Sequence, residues 1–358
     1  MKLQRLVRTG ILAWWAVAMA GAASASTAPG DDVRLRVEKA AATLAADMAR
    51  LCPAADPADQ VAFDACRRGL YQDSQFKRSL QPFVLWGRQK DPKVALKDTK
   101  LTQFGPDVLS NMYVPLFMFN GKHTVAWSER ESLYEVRLQT AFRNRLAPGQ
   151  FPYPFWHEAD KWSMYEGARE IILWWDPKAD KIKLAQFTVH GSNPPIQVNT
   201  HVTQAAFDGK WMWTDAQGRT QPASTVFDGM LRADNPYIGK LDVAYKNLAL
   251  KLREGQCFQC HVPNNPDGMK KLVLLQTPMH AASEIKRVLK AVREDTMPRD
   301  EFGIEQPLDS KTKAALLNEG TAFEKLLDLA KQWEASGPAT AQRTTVGTAD
   351  TGVASTAK

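Results

Sequence analysis

Cysteine is scarce in this chain, with four residues in 358. That density excludes a small scaffold held together by disulfides. Long apolar runs are also missing. The longest apolar stretch, Gly10 to Ala23, has about 14 residues and no charge, against roughly 20 for a helix that crosses a bilayer. No block of Lys and Arg occurs, which makes nucleic acid a poor partner. There is no internal repeat, P-loop, GxSxG elbow or HExxH helix. The excess of positive charge is small, +7 from 46 Lys plus Arg and 39 Asp plus Glu. What is present is ordinary globular composition, 44% hydrophobic and 24% charged. The length predicts two or three domains.

The first residues read as an export signal. Lys2, Arg5 and Arg8 precede the apolar stretch, and Ala23-Ser24-Ala25 offers small residues for cleavage after Ala25. Residues 1–25 are thus expected to be a cleaved signal peptide. The mature chain would be periplasmic, in an oxidising compartment, with no membrane-spanning segment. Its net charge would be +4, since the signal takes three basic residues and no acids.

Residues 26–75 predict a helical segment, with helices over Val33 to Leu51 and Asp59 to Tyr71 separated by Pro53 and Pro57. Cys52 and Cys66 flank this break. In an exported chain they are expected to form a disulfide, worth roughly 3 kcal/mol through the unfolded state. Two buried thiols are the alternative, and the long spacing disfavours a redox-active pair.

Residues 76–235 predict an α+β domain with an antiparallel sheet. Met112 to Phe119 and His123 to Trp127, joined by Asn120-Gly121-Lys122, read as a hairpin. Helices are expected over Glu131 to Leu146 and Glu158 to Arg169, with a break at Pro148 to Pro154. Strands are expected over Ile171 to Trp175, Lys181 to Val189 and Lys210 to Thr214. Eight of the eleven tryptophans fall here. Trp174 and Trp175 should point to opposite faces of a strand, and Trp211 and Trp213 to the same face. Most of the eight suit a core. His157, Glu158 and Asp160 could add polar groups to an aromatic-walled pocket. His123, His190 and His201 are isolated and suit structural roles.

Chemistry concentrates at Cys257-Phe258-Gln259-Cys260-His261. C-x-x-C-H is the attachment signature of c-type haem. Two thiols three positions apart can each form a thioether to a haem vinyl group, and the following imidazole can ligate the iron. Cys257 and Cys260 are therefore the candidate covalent anchors and His261 the candidate proximal ligand. A zinc site would need further ligands, and only His280 is near. A thioredoxin-type motif would need an α/β setting.

The flanks are helical. Leu241, Ala244, Tyr245, Leu248 and Leu252 form one stripe, ended by Gly255. Thr277-Pro278 reads as a helix start, with Ile285, Val288, Leu289 and Val292 as its apolar face. Met297-Pro298 follows. A last helix, Ser310 to Trp333, aligns Leu316, Gly320, Phe323, Leu327 and Ala330. Residues 336–358 are Ala, Thr, Gly and Ser-rich and suit a disordered tail.

In this order of features, residues 240–335 resemble a single-haem, class I type cytochrome c domain. The resemblance implies an all-α fold, one covalent haem c and Met297 as the sixth ligand of the iron. It covers about a quarter of the chain, and no family is suggested for residues 26–235. Other distal candidates are His280, Met279 and Met269, or an open position. Without a ligand role, His280 would be a solvated first-turn histidine.

Three functions follow. The first is electron transfer to or from a redox partner protein. The second is a haem enzyme such as a peroxidase or small-molecule oxidase, which needs an open iron position and acid–base groups. The third is a haem-based sensor with its ligand site in the N-terminal domain. Lys286, Lys290 and Arg293, with Arg287, Lys270 and Lys271 nearby, could steer an acidic partner, although residues 240–335 carry a net charge of only +1.

Overall fold

The computed structural model describes residues 28–99, 101–146, 162–191, 193–198, 212–214, 220–222, 227, 231–232, 234–261, 275, 278–300 and 302–336. The predicted signal peptide, the C-terminal tail, the proline-rich break, His157, Glu158, Asp160, His201, Trp211, Met269, Lys270 and Lys271 lie outside these residues.

The chain starts with α1 (Asp31–Leu51), α2 (Gln60–Asp73) and the short α3 (Gln75–Ser79). Val37, Ala41, Leu44, Ala45 and Met48 make the buried stripe of α1. Asp59 caps α2 by accepting from the Ala62 N–H at 2.9 Å, leaving the two prolines outside both helices. The predicted disulfide is present between Cys52 and Cys66 and ties the end of α1 to α2.

Six strands form the main sheet: β1 (Leu80–Arg88), β2 (Thr102–Phe104), β3 (Phe117–Ser128), β4 (Leu133–Phe142), β5 (Glu170–Asp176) and β6 (Lys181–Thr188). Their order is β2-β1-β6-β5-β4-β3. Four of the pairings are antiparallel, but β1 runs parallel to β6, with Trp86 beside Ala185. The sheet is therefore mixed, not antiparallel as expected, because β1 enters from α3 and leaves by β2 without pairing with β3. A small hairpin, β7 (Met212–Thr214) with β8 (Thr220–Pro222), stands apart from it.

Three local expectations are corrected. The stretch expected as a helix, Glu131 to Leu146, contains strand β4 instead. Tyr134, Val136, Leu138 and Phe142 alternate into the main core, while Glu135 and Arg137 lie on the other face and pair with each other. That period of two outweighs helical propensity once β3 and β5 supply partners. The expected hairpin at Asn120-Gly121 is a single strand. The register of β3 against β4 shifts between Phe119 and His123, and Gly121 takes φ 81° there, so Asn-Gly makes a bulge. Residues ahead of it, Pro106 to Leu116, are successive helical turns and not a strand. Of the expected helix Glu158 to Arg169, residues 158–161 lie outside the described residues, Trp162 and Ser163 are helical, and the chain then turns before β5.

Both faces of the sheet are covered. Trp174 packs with Leu101, Leu133, Ile172 and Leu184 on one face, and Trp175 joins the main core on the other. The adjacent pair thus points both ways, as the strand period requires.

The C-terminal helices are α4 (Ile238–Glu254), α5 (Pro278–Arg293) and α6 (Ser310–Ser336). Every predicted stripe residue of α4 and α6 is buried. Their apolar faces run continuously into the core beneath the sheet. The two units approach closely at Gly105, where a Cβ would fall 2.1 Å from Ser283 Oγ of α5. Among the described residues, no helix is long and apolar enough to cross a membrane.

Candidate functional site

The motif sits where α4 stops. The Gly255 N–H donates to Lys251 O at 2.9 Å, closing the last turn. A Cβ at Gly255 would lie 3.1 Å from Leu316 Cδ1 of α6, so a small residue lets the chain turn against that helix. Gln256 then takes a left-handed conformation, φ 61°, and Cys257–Gln259 forms a 3-10 turn. The His261 N–H donates to Cys257 O at 3.0 Å, which brings Cys257, Cys260 and His261 onto one turn. Two helix contacts support it. Tyr245 of α4 meets Phe323 of α6 at 6.1 Å between ring centroids. Gly320 of α6 makes room for Leu289 of α5, which a Cβ would meet at 2.8 Å.

Cys257 and Cys260 are thiols, outside the disulfide, and both are half-buried. Burial pushes the Cys257 thiol up to about 11, so it stays protonated at neutral pH. That is the opposite of the activated thiolate a disulfide-exchange motif requires. Among the described residues, no group of three or more His, Cys, Asp or Glu side chains converges as a metal-ion site. A zinc chelate would require such convergence.

The opposite wall comes from the loop between α5 and α6. Thr296 N–H donates to Ala291 O at 3.0 Å, and Met297 follows, joined to Pro298 by a cis peptide. Asp300 organises the rest of the loop. Its carboxylate accepts from the N–H groups of Phe302 (3.0 Å) and Ile304 (2.8 Å) and from Gln306 Nε2 (3.1 Å). These donors, the Ile304 N–H first among them, hold its carboxyl below the usual carboxylate range. Arg299 pairs with Glu305 at 3.1 Å, and Lys313 reaches Asp295 at 2.6 Å.

Motif and loop enclose a cavity of about 390 Å³. Cys257, Cys260 and His261 line one side, and Val292, Met297, Pro298 and Leu308 contribute apolar surface. Phe302 stands at this cavity 80% exposed, with Ile304 beside it 60% exposed. Solvated apolar side chains at a concave apolar site are what a bound planar ligand would cover. Two thiols and an imidazole on one turn, a thioether facing them and a largely apolar chamber fit a covalent haem.

The distal candidates separate by position. Met297 lines the cavity. Met279 is buried in the core at 1% exposure. His280 is not a solvated histidine as expected but is 1% exposed and faces away from the cavity, toward the sheet-bearing unit. It stacks on Phe104 at 5.4 Å, and its Nε2 lies 3.5 Å from the Tyr113 hydroxyl. Burial lowers its pKa to about 3, so the ring is neutral. Lys286, Lys290 and Arg293 are exposed, as a solvated helix face predicts, while Arg287 is held by Glu284 at 2.9 Å and lies over the Phe83 ring.

The loop residues Asp300, Phe302 and Leu308 were not singled out in the sequence. The available signal was turn chemistry, since Asp300 followed by Gly303 at φ 79° marks a tight reversal.

The sequence matches no known protein family, and no curated protein or solved structure is significantly similar to it.

Proposed function

We propose that this chain is an exported c-type cytochrome that carries one covalent haem c and exchanges electrons with a redox partner protein. Cys257 and Cys260 are the thioether anchors, His261 the proximal ligand and Met297 the distal ligand. Residues 240–335 then make an all-α, cytochrome c-like domain. The observation that carries this reading is the cavity that the motif and Met297 line together, although they lie 36 positions apart in sequence. Export of the chain to the periplasm is part of the same proposal, and the Cys52–Cys66 disulfide supports it.

Bound there, haem would supply one-electron ferrous/ferric chemistry. The chain's part is to hold and tune it. Val292, Pro298 and Leu308 keep water away from the chamber, and a thioether ligand raises the potential. Asp300 fixes the loop that carries Met297 through its three accepted hydrogen bonds. Electron transfer is favoured over peroxidase or oxidase chemistry because the two charged side chains that line the cavity, Arg299 and Asp300, are already engaged. Arg299 is committed to Glu305 and to Thr296 O, and Asp300 to its own loop. Neither serves as a distal acid or base.

The test is expression in a host that attaches c-type haem. The chain should retain haem after denaturation, and the ferric protein should show the sulfur-to-iron charge-transfer band, which Met297→Ala removes. Loss of all haem on denaturation would overturn covalent attachment. Rapid carbon monoxide binding to the reduced wild-type protein would overturn ligation by Met297.

A further inference from the structure

The tryptophan-rich unit has an internal order that the proposed haem site does not explain. Tyr113 lies at the contact between this unit and α5, with its hydroxyl 3.5 Å from His280 Nε2. Its ring centroid is 6.3 Å from that of Trp86. Trp86 Nε1 donates to the Tyr165 hydroxyl at 3.1 Å. Phe142 lies 5.5 Å from Tyr165 and 4.6 Å from Trp162. All are buried, yet Ser163 and Met164, which follow Trp162 in the chain, are exposed. The result is an unbroken aromatic series from the contact with α5, across the core, to the vicinity of the surface.

Aromatic groups in or near van der Waals contact transfer electrons rapidly, and tyrosine and tryptophan are the side chains most readily oxidised to radicals. We propose that Tyr113, Trp86 and Trp162 form a hole-transfer route through this unit, with Tyr113 and His280 as its proton-coupled station. Tyr165 and Phe142 bridge the two tryptophans. Oxidation starts at Trp162, the member nearest the surface, whose indole loses one electron to a strong one-electron acceptor of the oxidised metal-complex class, and the acceptor is reduced by one electron. Trp86 fills the hole at Trp162 by losing one electron. Tyr113 then fills the hole at Trp86: its phenol loses one electron, the O–H bond breaks, and the proton passes to Nε2 of His280 in its Nδ1–H tautomer. A neutral phenoxyl radical and an imidazolium result.

His280 is neutral, with Nε2 3.5 Å from the phenol; burial disfavours its imidazolium, so the transfer is driven by the strong acidity of the oxidised phenol. Tyr165, whose hydroxyl accepts the Trp86 Nε1–H at 3.1 Å, serves as a bridge. The ferric/ferrous cycle of a His/Met haem lies too low in potential to oxidise a phenol, so the route is separate from ordinary electron exchange. The inference stands or falls independently of the haem reading.

The test uses photogenerated ruthenium(III) tris-bipyridine on the whole protein, with and without attached haem, followed by freeze-quench electron paramagnetic resonance. A tyrosyl signal that narrows with ring-deuterated tyrosine is expected in both preparations. Tyr113→Phe, which keeps the ring stack, should abolish it and leave a tryptophan radical. Trp86→Phe should cut its yield when the oxidant attacks from the surface. Absence of a tyrosyl signal in the wild-type protein overturns the route without any variant. A signal unchanged by both substitutions, in variants whose circular dichroism matches the wild type, overturns it as well. Since haem-free protein is included, failure here is distinguishable from failure to attach haem.

Discussion

The two cysteine pairs stand in opposite environments. Cys52 and Cys66 have no exposed surface and lie on neighbouring elements, joined across 14 positions. Cys257 and Cys260 are half-buried on a single 3-10 turn and remain thiols at the wall of a cavity. Spacing suggests these roles, and burial gives them a physical basis. Burial inside the core leaves the first pair only each other, whereas an apolar chamber leaves the second pair access to a third body. One pair restrains the unfolded chain. The other offers two thiols beside an imidazole.

Substitutions can break this comparison, and the largest effect is expected at the cavity. Cys257→Ser with Cys260→Ser should remove all covalently retained haem, read on a denaturing gel stained for haem, while either single change leaves one thioether. The same double change at Cys52 and Cys66 should leave haem retention intact. It should instead lower stability by about 3 kcal/mol in chemical denaturation, as expected for a loop of this length. If it abolishes haem retention, the two pairs are not independent.

A smaller effect should come from the packing that holds the cavity in place. Gly320→Val puts a side chain against Leu289, and overpacking of this kind costs roughly 1–3 kcal/mol. Gly239→Val, whose site has open space, controls for β-branching in a helix.

The effect that is smallest at neutral pH is a pH dependence at the join between the two units. His280 has its folded pKa depressed to about 3 by burial, below the ordinary value of 6.5. Between these values the unfolded chain binds a proton that the folded chain does not, so stability rises with pH there. It should be fully present above pH 6.5 and decline, by at most roughly 1.4 kcal/mol per pH unit, as pH falls toward 3. His280→Phe should flatten that slope in urea titrations across the window. An unchanged slope would show that the imidazole does not set it.

The helical unit was more legible than the sheet. Stripes such as Leu241, Ala244, Tyr245, Leu248 and Leu252 are decided within one element, and all became its buried face. The segment of β4 looks helical in sequence because Leu133, Glu135, Arg137, Leu138 and Gln139 are all good helix formers. In the fold, Arg137 instead bridges Glu135 and the buried Glu170 across the sheet, and no local pattern signals that partner. Asn120-Gly121 misled for a related reason. The dipeptide permits either a turn or a bulge, and pairing with β4 selects the bulge.

The amino-acid sequence by itself determined the C-x-x-C-H turn, the helices that flank it and the partnership of Cys52 with Cys66, since each depends on residues near in the chain or on the scarcity of alternatives. Tertiary structure alone decided that Met297 lines the cavity and His280 does not. The two lie on one stretch of chain 17 positions apart, and only the packing of α5 between the sheet and α6 turns them to opposite sides. The aromatic series from Tyr113 to Trp162 is likewise a product of packing, because its members come from strands and turns that meet only when the sheet closes over its core.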